Sequence, residues 1–216
     1  MEWAALCNQQ RLGFLEQPAS AITSAAFVVA AAGILAGRPR ESGTPARDQR
    51  TVFALLVAGI GVGSFVQHGP HPPWQAYAHD LPLAAALVFV ATDAAADLTG
   101  REFSPGWWLV PSAAMVPIVA VGPTASTAAQ AAIGAAAIAL NLLRARHRPA
   151  LRAPVLVALG TAAAGTVLGR LTGWSGSCGP ESFITGHPVW HLLAAAALWR
   201  LAAAVGARRQ PALRLR

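Results

Sequence analysis

The run TVFALLVAGIGVGSFVQHG, residues 51–69, holds no formal charge over 19 positions. It is long enough to cross a bilayer core of about 30 Å, which takes about 20 apolar residues in a helix. Near its end stand Ser64 and His68, four residues apart. The rest of the chain has the same character. Of its 216 residues 55% are hydrophobic and only 12% are charged, against about 25% charged in a soluble domain. Lipid is the solvent that suits this composition. Counting apolar runs outward from Thr51 gives seven spans, at 18–36, 51–69, 79–97, 106–121, 124–143, 153–170 and 185–205. The expected fold is all-α, a polytopic seven-transmembrane-helix bundle forming one membrane domain over 1–216. No internal repeat and no soluble domain interrupts it. The 106–121 run is the shortest, and Pro111 and Pro117 predict a kink there.

Arginine placement orients the spans. The chain has 16 basic residues, all arginine. Arg38, Arg40, Arg47 and Arg50 follow span one, and Arg101 follows span three. Arg144, Arg146, Arg148 and Arg152 follow span five. Arg208, Arg209, Arg214 and Arg216 sit in a basic tail, 207–216. The other loops carry only Arg11 and Arg170. Since basic loops stay in the cytoplasm, the N-terminus is expected outside and the C-terminus inside. The net charge of +7 then reflects topology and attraction to anionic lipid, so the bilayer rather than nucleic acid is the expected partner. The first residues lack a basic n-region followed by an apolar h-region, so no cleaved signal peptide is expected. Without lysine there is no Schiff base, which excludes a retinal protein. The alanine- and arginine-rich composition suits a GC-rich bacterial gene, which puts the protein in the bacterial cell (inner) membrane. At about 1.5 Å per residue, Asp97 and Arg200 fall in the inner half. Arg200 is expected either to pair with Asp93 or Asp97 or to reach back to the cytoplasmic interface.

This topology collects the titratable residues on one side. Span two ends outside with Ser64 and His68, span three begins there with Asp80, and span seven begins there with HPVWH, His187–His191. Each pair spaced by four shares a helix face. Pro188 suits a first helical turn, so span seven should start near Gly186. Three imidazoles with an open position are the usual catalytic zinc arrangement. His68, His187 and His191 are therefore the expected zinc ligands. A zinc hydrolase also needs a proton acceptor. HPVWH contains no acid, and Asp80 is the carboxylate at the right depth. Ser64, one turn below His68, would donate a hydrogen bond to the oxyanion. His71 and His79 read as interfacial residues, His79 at most a neighbour of the ligands. His147 reads as a loop residue, and Trp74 and Trp190 as interface or packing residues.

GVGSFVQH (61–68) and HDLP (79–82), followed late in the chain by HPVWHLLAAAALWRL (187–201), resemble the alkaline ceramidase family. The N-terminal CNQQRLGFLEQPASAITSAAF (7–27) resembles that family's first motif. The family belongs to the CREST group of seven-span metal-dependent hydrolases, with the adiponectin-type receptors and the GPI-anchor lipid-remodelling proteins. The resemblance implies zinc on His68, His187 and His191, with Ser64 and Asp80 as active-site residues. It implies hydrolysis of a long-chain N-acyl amide, such as ceramide, to a free amine and a fatty acid. Another lipid amide or an ester is the alternative substrate. The family's calcium-binding acidic cluster is reduced here to Glu2, Asn8 and Glu16, so calcium is not expected. Cys7 and Cys178 both fall outside the membrane in this topology, and the resemblance points to a Cys7–Cys178 disulfide. The competing class is a non-catalytic seven-span receptor or transporter in which the same histidines form a structural metal site.

Overall fold

The computed structural model describes residues 14–37, 39, 45–174 and 186–208. Cys7 and Cys178 lie outside these residues, as do Glu2, Asn8 and the tail beyond Arg208. Among the described residues the chain is helical and contains no strand. The helices are α1 (Pro18–Thr23), α2 (Ala25–Ala36), α3 (Pro45–His68), α4 (Gln75–Thr99), α5 (Pro105–Val121), α6 (Pro123–His147), α7 (Arg152–Trp174) and α8 (His187–Leu201). A 3-10 turn, Pro149–Leu151, joins α6 to α7.

Five segments are long and apolar enough to cross a membrane: Pro18–Ala36, Ala46–His68, Gln75–Thr99, Pro123–His147 and Pro149–Gly169. They mark an integral membrane protein. Helix α5 is a shorter apolar helix of 17 residues, continuous through Pro111 and Pro117. The segment expected as span 185–205 forms a helix of 15 residues, α8. Past Leu201 the chain turns, and Gly206 adopts φ 73°. The Arg50 side chain donates to the carbonyls of Val205 (3.2 Å) and Ala203 (3.1 Å), satisfying acceptors in the turn that follows the helix.

Helix α4 packs against α3, α5 and α6, while α2 packs on α3 and α8, and α8 lies along α7. Phe27 and Ile34 of α2, Phe53, Val57 and Ile60 of α3, and Phe89 of α4 form the interior. Outward faces are apolar as well, with Val29, Leu55, Val62 and Val110 all exposed. A fold built for water hides large apolar patches; here lipid would cover them.

The buried charges belong to a different partnership from the expected one. Arg144 is 1% exposed and bonds Asp93 Oδ2 through Nη1 (2.9 Å) and Asp97 Oδ2 through Nε (2.8 Å). Arg148 pairs with Asp97 (2.7 Å) and Arg208 with Asp93 (2.8 Å). Arg200 is exposed and makes no ion pair with either aspartate. Its expected pairing is thus corrected. Arg144 sits on α6, which packs against α4, and Arg148 follows directly after its last residue, so with Arg208 they occupy both carboxylates.

Candidate metal centre

Helix α3 ends on His68, and the segment before α1 lies across that end. The Gln17 amide donates to the His68 carbonyl (2.8 Å) and the Glu16 amide to that of Gly69 (3.0 Å). These two bonds fix Gln17 over the imidazole. His68 Nδ1 donates to Gln17 Oε1 at 2.5 Å. An amide oxygen only accepts, so Nδ1 carries the proton and Nε2 keeps its lone pair.

Helix α8 starts as expected at Gly186, whose φ of 65° suits glycine, with His187 first and Pro188 in the opening turn. His191 follows one turn later and is buried. Its Nδ1 donates to the Ser20 carbonyl (3.0 Å), with Thr23 Oγ1 at 3.2 Å. A carbonyl likewise only accepts, so His191 also presents a bare Nε2. Thr23 and Ser24 turn their hydroxyls back onto the carbonyls of Ala19 and Ser20, both at 2.8 Å, where α1 gives way to α2. Such back-bonding bends helices. Phe27 meets the His191 ring edge-on, 5.7 Å between centroids.

The three rings converge. Centroids lie 4.7 Å apart for His68–His187, 5.1 Å for His68–His191 and 4.5 Å for His187–His191. One ligand nitrogen from each lies within 4.8 Å of the others. His68 Nε2 and His187 Nε2 are 3.1 Å apart. Two nitrogens on one tetrahedral zinc, each at about 2.0–2.1 Å, would stand about 3.3–3.4 Å apart. The donor set therefore fits a metal ion: His68 and His191 each keep Nε2 free of the oxygen acceptors that hold their Nδ1 atoms, as metal-ligating histidines usually do. This triple-histidine group can hold a metal ion.

Ser64 is buried one turn before His68. Asp80 is not part of the three-histidine group. Both its carboxylate oxygens are engaged: His79 Nδ1 donates to Oδ1 (2.7 Å) and Ser126 Oγ donates to Oδ2 (2.6 Å). Gln130 Nε2 in turn donates to Ser126 Oγ (3.0 Å). His79, read as interfacial and at most a neighbour of the ligands, meets His68 in a T-shaped contact at 6.2 Å between centroids. His71 is exposed and bonds the Gln67 carbonyl (2.6 Å). His147 closes α6. Trp74 is exposed. Trp190 packs where Gly165 and Gly169 leave room on α7.

Gln17, Thr23, Ser126, Gln130 and the Ser20 carbonyl are absent from the sequence-derived site. Only the N-terminal motif containing Gln17, Ser20 and Thr23 hinted at that segment. No protein-family model matches the chain, and no characterised protein matches it. The resemblance described above therefore rests on its motifs.

Proposed function

We propose that the protein is a zinc-dependent intramembrane hydrolase of a lipid amide, ceramidase-like in reaction. The observation that carries the reading is the convergence of His68, His187 and His191, with one ligand nitrogen of each within 4.8 Å of the others and the Nδ1 atoms of His68 and His191 held by oxygen acceptors. Three imidazoles brought together in this way suit a cation. When bound there, zinc supplies a water whose pKa falls to about 7. His68, His187 and His191 would hold the ion. Ser64 would donate a hydrogen bond from its hydroxyl to the acyl oxygen of the substrate. Asp80, with His79, would handle the proton that passes to the leaving amine. The seven-span topology with the N-terminus outside belongs to the same proposal, and so does placement in a bacterial cell membrane. The site would then open toward the outer leaflet, where the substrate lipid lies.

Turnover of a long-chain N-acyl amide by the purified protein tests the reading. Activity should disappear with a chelator and return with zinc. Asp80→Asn keeps the side-chain volume and should retain most of the metal while turnover falls about 10²-fold or more. Should Asp80→Asn lose metal as fully as His68→Ala, the site is closed by a fourth ligand. The receptor or transporter reading would then replace the hydrolase.

A further inference from the structure

On α4, His79 stands in ring contact with His68 of the candidate metal centre. His79 Nδ1 and Asp80 Oδ1 are 2.7 Å apart, and the His79 ring stands edge-on to His68 at 84°. Asp80 Oδ2 is taken by Ser126, a residue of α6. A carboxylate that holds two donors acts as an acceptor only. His79 Nδ1 therefore carries a proton, and Nε2 is the ring nitrogen left over for another partner. The close approach of the two helices sets this arrangement: a Cβ at Gly63 would fall 3.0 Å from His79 Cα. Only a glycine on α3 lets α4 bring His79 so near to His68. Ser126 and Gln130 complete a directed chain, Gln130 to Ser126 to Asp80, that leaves the carboxylate little freedom to turn elsewhere.

We propose that His79 is the α4 group that meets the reactants, accepting a hydrogen bond at Nε2 from the attacking water, and that Asp80 is a positioning residue acting through it. This rests on the hydrolase reading above. It divides the labour differently from a site in which Asp80 meets the water directly. The base-side acceptor is then an imidazole oriented by a carboxylate, and the carboxylate is oriented by a serine and a glutamine.

The test uses the zinc-loaded full-length protein with His79→Ala, Asp80→Asn and the double variant. Each single variant should keep its zinc, hold KM within about twofold and lose about 10²-fold in kcat. Residues that act as one unit are non-additive, so the double variant should be no more than about threefold slower than His79→Ala. Added imidazole should restore part of the His79→Ala activity. If Asp80→Asn still costs about 10²-fold in the His79→Ala background, Asp80 acts on its own and the inference fails. If His79→Ala loses the metal, His79 is a ligand and the inference fails too. Nitrogen NMR of 15N-histidine-labelled protein gives a readout independent of turnover. It should find His79 protonated at Nδ1 and bare at Nε2, and Asp80→Ala should turn it into a mixture of tautomers. A His79 protonated at Nε2 overturns the inference. Absence of amide hydrolysis in the wild type would instead remove the hydrolase reading, and the NMR alone would then decide the Asp80–His79 arrangement.

Discussion

At the scale of single residues, Gln17 carries more of the metal centre than its chemistry suggests. It has no metal-binding atom in the group, yet it fixes which nitrogen of His68 faces inward. Gln17→Leu removes that acceptor and frees the ring to turn. Losing such a partner usually costs about 10–100-fold in metal affinity, and that loss is the expected result in a competition titration against a chromophoric chelator. Unchanged affinity would mean that the 2.5 Å bond does not orient His68. The three histidines were legible beforehand because spacing by four is local geometry and the arginine loops decide which helix ends meet. Gln17 was not, since its position depends on two main-chain bonds to residues about fifty positions away. Ser20 was not either, because what it offers His191 is a carbonyl that every residue has.

At the scale of elements, helix contact is set by glycines. A Cβ at Gly63 would lie 1.9 Å from the Ala78 carbonyl oxygen, an atom of the α4 backbone that cannot swing aside. Gly63→Ala must therefore part α3 from α4. Thermal unfolding in detergent should show a destabilisation of about 1–3 kcal/mol, the usual range for overpacking, together with weaker metal binding. Gly160→Ala is the control, since a Cβ there meets nothing within 4 Å. It should leave the protein as stable or slightly more so, alanine being the better helix former by about 1 kcal/mol. A wild-type melting point for Gly63→Ala would contradict the close approach. Gly165 and Gly169 seat Trp190 in the same way and fix the helix that carries His187 and His191. The runs of uncharged residues fall on helical segments but do not give the helix ends. Helix α3 begins at Pro45, six residues before the uncharged run that opens at Thr51, because its charged first turns need no lipid. The uncharged 18–36 run breaks at Ser24 into α1 and α2, through side-chain bonds that hydropathy does not register.

At the scale of the whole molecule, the protein has a polar centre at each end of α4. One is the histidine group with His79 and Asp80. The other is the Asp93–Asp97–Arg144 cluster, which Arg148 and Arg208 close. Arg144 Nη2 also donates to the Ala207 carbonyl (2.6 Å), and the Gly206 amide donates to Asp93 Oδ1 (3.2 Å), so the chain after α8 is clasped to α4 and α6. Arg144→Met leaves buried carboxylates short of a partner, and breaking such a cluster costs about 3–5 kcal/mol. Arg200→Ala touches none of it and should change stability by less than about 0.5 kcal/mol. Equal melting points for the two variants would contradict this assignment. Arginine counts along the sequence pointed to topology, but charge in a loop and charge in a core look alike in composition. Only the face that α6 turns to α4 distinguishes Arg144 from its neighbours. The two ends meet in one question, whether the histidine end holds a metal. Elemental analysis of the purified protein, wild type against His68→Ala, His187→Ala and His191→Ala, answers it most directly. The three-histidine centre predicts about one zinc per wild-type chain and a large loss in each variant. A wild type that stays free of metal under zinc-replete conditions, or variants that keep their zinc, would contradict it.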